Sequence, residues 1–135
     1  MLTENFNYKI TPTEFITAEN GIKYAYRRLG SKKEIPIIYF NHLTANLDNC
    51  DPRVMDGMAK DVENISFDYR GVGQTSGEDA PSIQDMAKDA IAFIKALGYK
   101  KVDIMAFSMG GFISQELLEM EPTLVRKIIL AGTGP

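Results

Sequence analysis

Ser108 is the residue whose type and surroundings best suit chemistry in this chain. It lies in residues 102–122, VDIMAFSMGGFISQELLEMEP, where a short apolar run ends at small residues and a helical pattern begins. This order is typical of the nucleophile-elbow motif, G-x-S-x-G, in which small residues flank a strained turn that exposes the serine hydroxyl. Residues 106–110 read AFSMG, with alanine in place of the first glycine. The alternative is a serine that only caps the helix.

A serine nucleophile needs an oxyanion site and a base. The helix that begins at Met109 directs its N-terminal N–H groups towards the serine, which suits a developing oxyanion. No obvious base follows, because His42 is the only histidine and it precedes Ser108. Three carboxylates lie along the helix that leads away from the turn, and we expect them to form a solvated face: Glu116, Glu119 and Glu121.

Length and charge exclude several classes of protein. At 135 residues the chain suits one domain, residues 1–135, but not two full ones. A net charge of −3 with scattered Lys and Arg argues against nucleic-acid binding. No apolar run reaches the roughly 20 residues that span a bilayer, and the start shows no signal pattern, so we expect a cytoplasmic protein without a membrane partner. The single cysteine, Cys50, has no disulfide partner and no neighbours at metal-ligand spacing.

Alternating strand and helix patterns predict the fold class. Residues 13–18 and 22–29 alternate apolar with polar around Asn20-Gly21, which indicates an antiparallel hairpin. Four apolar runs are typical of buried parallel strands: residues 35–40, 64–68, 101–107 and 126–131. Helical patterns cover residues 52–62, 82–97 (with Ser82 as N-cap) and 109–120. The order predicts an α/β protein, a doubly wound, mostly parallel sheet of about six strands and three helices with an N-terminal antiparallel hairpin.

Ligands of such sheets bind outside the carboxyl ends of the strands, so the site should lie in the loops 41–51, 69–81, 107–111 and 132–135. One of these loops contains GVGQTSG (71–77), which could suggest a dinucleotide fingerprint. It lacks the third glycine at the required spacing and leads into a loop rather than directly into a helix. We therefore reject NAD, and the sequence implies no cofactor and no metal.

Further stretches, together with the turn at Ser108, make nearly the whole chain similar to the α/β-hydrolase family. Residues 35–46, IPIIYFNHLTAN, carry His-Leu where that family usually has His-Gly after its third strand. Residues 67–77, FDYRGVGQTSG, resemble the family's D-x-R-G-x-G-x-S loop, and a later strand ends in LAGTGP. In that loop we expect Asp68 and Arg70 to shape the turn as satisfied polar groups rather than to do chemistry.

The resemblance assigns roles to individual residues. It implies that Ser108 is the nucleophile and that the backbone N–H groups of Met109 and Leu43 form the oxyanion hole. It also implies that His42 and Phe107 line the pocket. His42 is then expected to brace the oxyanion loop by hydrogen bonds rather than to act as the base, which must lie within reach of the Ser108 hydroxyl.

The resemblance also implies that part of the machinery is absent. In this family the triad follows the order Ser, Asp or Glu, then His, but only residues 132–135 follow the last predicted strand. The chain therefore resembles the N-terminal half of a truncated α/β-hydrolase core. In the family's strand order, 1-2-4-3-5-6, one face of strands 101–107 and 126–131 is expected to be bare, and 126–131 forms an apolar edge that recruits another chain.

Three functions remain open. The first is an esterase-like serine hydrolase that acts on a small ester-like substrate through an acyl-enzyme. Its acid and histidine would come from residues outside this chain or from a second polypeptide, so the chain alone is expected to be inactive or nearly so. The second is a non-catalytic protein that self-associates through strand 126–131. The third is a small-molecule binding module without turnover. We favour the first because it is the chemistry of the family.

Overall fold

A computed structural model of the chain describes residues 10–30, 34–41, 47, 52–78 and 82–131. Within these residues, six strands and three helices follow one another in the predicted order. The strands are β1 (Glu14–Thr17), β2 (Lys23–Leu29), β3 (Ile37–Phe40), β4 (Asn64–Phe67), β5 (Val102–Phe107) and β6 (Val125–Ala131). The helices are α1 (Pro52–Ala59), α2 (Ile83–Ala96) and α3 (Met109–Met120).

The strands form one sheet in the order β1-β2-β4-β3-β5-β6. The pairs β1–β2 and β2–β4 are antiparallel, whereas β3 pairs in parallel with β4 and β5, and β5 pairs in parallel with β6. The hairpin turns at Asn20-Gly21, where Gly21 has φ 82°, a left-handed conformation that glycine adopts without steric cost. The predicted doubly wound, mostly parallel sheet with an N-terminal antiparallel hairpin is therefore confirmed.

The main core lies between the sheet and the paired helices α2 and α3. At its centre the rings of Phe67 and Phe93 stack with centroids 4.5 Å apart, and the ring of Tyr24 packs against both. On the opposite face, α1 packs over β2 and β4 and forms a smaller apolar cluster: Leu29, Met55 and Ala59. Removing these side chains from water is the dominant favourable term in folding, so the two clusters fix the helices on the two faces.

The ends of the helices follow local chemistry. The Oγ of Ser82 accepts the backbone N–H of Asp85 at 3.1 Å, so the predicted N-cap of α2 is confirmed. Helix α1 ends at Ala59, three residues before the predicted end at 62, because the chain turns there to carry the buried residues from Glu63 onwards into β4. At this turn the backbone of Gly30 packs so closely on the carbonyl of Val62 that a Cβ would not fit.

Strand β6 forms an edge of the sheet and exposes large apolar side chains. The side chain of Ile129 is 54% exposed and that of Leu130 is 43% exposed. The principal contacts of α1 are with β2 and β4 rather than with β5 or β6. The apolar edge agrees with the expectation from the sequence.

Candidate active site

Ser108 lies in a strained turn between the last residue of β5 and the first residue of α3. Its backbone has φ 54° and ψ −121°, and no other non-glycine residue in the described ranges has a positive φ. Such a conformation costs about 1–3 kcal/mol, so the surrounding packing must impose it. The Ser108 side chain makes no capping hydrogen bond to α3, in contrast to Ser82 at α2. The geometry therefore differs from that of an ordinary helix-capping serine.

Small residues around Ser108 allow α3 to approach the sheet closely. A Cβ on Gly110 would overlap the carbonyl oxygen of Phe40 and lie 2.8 Å from the carbonyl carbon of the same residue. Ala106 is completely buried, and it pairs with Phe40 on one side and with Leu130 on the other. A methyl group fits this buried position. Alanine in place of the motif's first glycine is therefore compatible with the turn.

The N-terminus of α3 places positive electrostatic potential beside Ser108. The first N–H groups of a helix lack intrahelical acceptors and carry the positive end of its dipole. In this turn the carbonyl of Ser108 accepts the N–H of Gly111 at 3.0 Å, which fixes the serine against the first helical turn. The side chain of Met109 packs against the main core and anchors the start of the helix. This arrangement suits the binding of an oxyanion near the serine hydroxyl.

The buried carboxylate of Asp68 organises the loop that follows β4. Its Oδ2 accepts the backbone N–H of Gln74 at 3.2 Å, and its Oδ1 accepts the backbone N–H of Leu47 at 2.8 Å. A Cβ on Gly73 would overlap the carboxylate, so a side chain at this position would displace it. Thr75 continues the frame, because its Oγ1 donates to the carbonyl of Asp68 and accepts the N–H of Ala25. Asp68 thus shapes the turn, as the sequence predicted.

Arg70 connects the same loop to α2. Its Nε and Nη2 each donate to a carboxylate oxygen of Asp89 at 2.8 Å, and this hydrogen bonding raises the pKa of Arg70. Asn20 Nδ2 donates to the hydroxyl of Tyr24 at 3.0 Å nearby, and burial raises the pKa of Tyr24 to about 12. Arg70 and Asp89 line an open pocket of about 510 Å³, and Ser108 is not among its lining residues. The sequence analysis missed Asp89, because a carboxylate in an amphipathic helix gives no sign of its distant partner.

The described structure brings three of the predicted site residues together. Phe107, Ser108 and Met109 are consecutive at the end of β5, and the side chain of Phe107 is 40% exposed there. The other two predicted site residues, His42 and Leu43, lie outside the described residues, as do Cys50 and residues 132–135.

The acidic residues after Ser108 are placed as expected for a solvated helix face. Glu119 is exposed and Glu116 is half-buried on α3. Glu121, at the end of that helix, pairs with Lys95 at 3.0 Å.

Two further features bear on cofactors and membranes. Within the described ranges, His, Cys, Asp and Glu side chains form no group of three or more that could hold a metal ion. No helix in the same part of the chain has both the length and the apolar character that crossing a bilayer would require.

Comparison with known proteins identifies the family. Residues 35–135 match the model of the alpha/beta hydrolase fold. The chain is 31% identical over 108 residues to a poly(3-hydroxyalkanoate) depolymerase of Ectopseudomonas oleovorans, covering 79% of this chain and 38% of that protein. It is 26% identical over 121 residues to the serine hydrolase BPHL of Mus musculus, covering 87% of this chain and 42% of that protein. The chain belongs to the α/β-hydrolase family.

Solved structures give the same result. An alpha/beta hydrolase fold protein from Chitinophaga pinensis superposes with a TM-score of 0.92 at 43% identity, covering 96% of this chain and 46% of that chain. The esterase EaEST from Exiguobacterium antarcticum superposes with a TM-score of 0.76 at 30% identity, covering 90% and 46% respectively. The chain thus spans less than half the length of these relatives.

Proposed function

We propose that this chain carries the nucleophile and oxyanion hole of an esterase-like serine hydrolase, with Ser108 as the nucleophile. The observation that carries the proposal is the backbone of Ser108, which has positive φ at a strand-to-helix turn and a side chain that does not cap the helix. Strain of this kind concentrates at functional sites. A non-catalytic serine cap needs no such conformation, as Ser82 demonstrates.

The proposed reaction is acyl transfer to water. The Oγ of Ser108 attacks the carbonyl carbon of a small ester-like substrate, and the bond to the leaving alcohol breaks as the acyl-enzyme forms. The proton of Ser108 passes through a base to the leaving alcohol. Water then attacks the acyl-enzyme, which releases the acid and regenerates the serine. The backbone N–H groups of Met109 and Leu43 stabilise the oxyanion in both steps, while His42 and Phe107 line the pocket.

The acid and the base of this reaction come from outside the 135 residues. No histidine follows Ser108 in the chain, whereas the triad histidine of this family follows the nucleophile. His42 braces the oxyanion loop in this proposal. The isolated chain is therefore expected to be inactive or nearly so, and the missing groups come from further residues of a longer polypeptide or from a second one. The greater length of the relatives supports this part of the proposal.

Labelling with a fluorophosphonate probe tests the proposal. The probe is added to the 135-residue chain and to the polypeptide encoded by its complete reading frame, and adducts are read as intact mass. We expect little or no adduct on the chain alone and one adduct per molecule on the complete polypeptide. Ser108→Ala should abolish the adduct, and the matched change at another helix start, Ser82→Ala, should retain it. A complete, folded polypeptide that does not react, or an adduct that survives Ser108→Ala, contradicts the proposal.

Self-association is a second candidate function, and the exposed apolar side chains of β6 favour it. An edge strand with unpaired backbone groups is a template for pairing with another chain. In this proposal two copies of the chain, or the chain and a complementing segment, join along β6. Light scattering should then find a dimer or larger species that Ile129→Lys dissociates. The matched change Phe15→Lys, at an exposed apolar residue of the opposite edge strand, should not dissociate it. A monomeric wild-type chain contradicts self-association between copies of the chain.

A further inference from the structure

The side chain of Met109, directly after Ser108, is only partly buried. Met109 is the first residue of α3, and its side chain packs against the main core while part of it is open to solvent. A peroxide that reaches the thioether sulfur of a methionine oxidises it to a sulfoxide. Met55, by contrast, is 1% exposed in the smaller apolar cluster and is shielded from such an oxidant. An oxidisable group therefore adjoins the proposed nucleophile.

The apolar contact of Met109 also helps to hold the turn at Ser108. A strained backbone such as that of Ser108 persists only where the surrounding packing imposes it. Two contacts fix the start of α3: the Met109 side chain on the core, and the close approach of Gly110 to the carbonyl of Phe40. The carbonyl of Ser108 accepts the N–H of Gly111 at 3.0 Å, so a shift of this helical turn displaces the serine as well.

Oxidation changes the contact of Met109 from apolar to polar. The sulfur attacks the terminal oxygen of a hydroperoxide, so that the S–O bond forms as the O–O bond breaks. The proton of the transferred oxygen passes to the departing oxygen, which leaves as water or an alcohol. The sulfur loses two electrons and the hydroperoxide gains them. Burying the polar sulfoxide against apolar side chains without a hydrogen bond is unfavourable, so the oxidised side chain loses its place on the core.

We infer that Met109 is a peroxide-sensitive modification site whose oxidation slows the chemistry of Ser108. This inference rests on the proposed serine-hydrolase function, because it concerns the regulation of the same site. The thioether takes no part in the acyl transfer. Its effect passes through the packing that holds the start of α3, and with it the serine and the N–H groups of the first helical turn. Methionine sulfoxide reductases restore the thioether, so the modification is reversible.

Hydrogen peroxide, applied to the complete polypeptide, tests the inference. Met109→Leu is the protected variant, because leucine has a similar volume and no sulfur. Met120→Leu is the matched control, because Met120 is the last residue of α3 and is also partly buried against the main core. Peptide mass reads the sulfoxide at each methionine. The second-order rate of fluorophosphonate labelling is compared with that of the unoxidised sample of the same variant.

We expect oxidation to slow labelling about tenfold in the wild type and in Met120→Leu, because a displaced nucleophile and oxyanion donor weaken transition-state binding. Oxidised Met109→Leu should label at nearly its own unoxidised rate. Methionine sulfoxide reductase should restore the wild-type rate. The exchange rate of the Gly111 amide hydrogen reports the turn independently of reactivity, since this N–H donates to the carbonyl of Ser108. It should rise on oxidation of the wild type but not of Met109→Leu.

The outcomes separate this inference from the function on which it rests. An equal slowing in Met109→Leu overturns the inference, because it assigns the loss to another residue. A Met109 that stays reduced while Met120 is oxidised also overturns it, as does a Met109 sulfoxide that leaves the labelling rate unchanged. A wild-type protein that does not react before oxidation contradicts the proposed function. In that case the Gly111 amide decides whether oxidation loosens the turn, and an unchanged exchange rate overturns the inference.

Discussion

Replacing Gly110 with alanine tests the close approach of α3 to β3. The added Cβ would overlap the Phe40 carbonyl oxygen and lie 2.8 Å from both the carbonyl carbon and the Cβ of that residue. Backbone atoms cannot rotate away, so α3 must shift. Overpacking of this kind costs about 1–3 kcal/mol, and the better helix propensity of alanine offsets up to about 1 kcal/mol. We expect a net loss of about 1–2 kcal/mol in the free energy of unfolding.

Gly57→Ala is the matched control, because Gly57 lies within α1 and an added Cβ would meet no atom within 4 Å. This variant should gain about 0.5–1 kcal/mol from helix propensity alone. Urea unfolding at a common m-value measures both changes. The same chemical substitution in two helices is thus expected to shift the urea midpoint in opposite directions. A Gly110→Ala variant as stable as Gly57→Ala would refute the argument that close packing against β3 imposes the turn at Ser108.

Three further predictions concern strain, charge and pH. Ser108→Gly should be more stable than Ser108→Ala by about 1–2 kcal/mol, because only glycine accepts the positive φ at this position without strain. Equal urea midpoints in the two variants would contradict the conclusion that the backbone of Ser108 is strained. Asp89→Ala should lower the free energy of unfolding by about 2 kcal/mol or more, because it leaves the partly buried Arg70 without its bidentate partner. Asp103→Ala breaks an exposed pair and should change the urea midpoint little. Similar losses in the two variants would show that burial is not the deciding factor. The pKa of Tyr24 is raised from 10.0 to about 12 in the folded protein, so its contribution to stability is fully present below pH 10 and is lost as the pH rises through 12. Tyr24→Phe should flatten the alkaline fall in stability, and unchanged curves would refute this assignment.

Local patterns predicted the architecture because its elements have local causes. The hairpin follows from alternation around Asn20-Gly21, and the start of α2 follows from the capping chemistry of Ser82. The parallel strands follow from apolar runs separated by helical patterns, since short crossovers leave few ways to connect them. The small residues around Ser108 predicted the strand-to-helix turn for the same reason, because a close approach of backbone requires them.

The remaining features depend on partners that are distant in the sequence. Arg70 and Asp89 form their pair only after the loop and α2 pack together, and the sequence gives no sign of it. The hydroxyl of Tyr69 donates to the backbone carbonyl of Asn41, and every residue carries such a carbonyl. Backbone acceptors have no signature in the sequence, so a hydrogen bond of this kind is found only when the fold is known.

The central place of β3 has a consequence for how the site forms during folding. β3 has only four residues, and its two neighbours, β4 and β5, follow much later in the chain. The hairpin β1–β2 can form as soon as its own residues are made, but β3 must wait for both loops to close, and non-local pairing of this kind is slow. Ser108 immediately follows β5, so its strained backbone cannot be stabilised before that pairing is complete. The turn at Ser108 is therefore expected to be among the last parts of the molecule to form, and early folding intermediates should lack it.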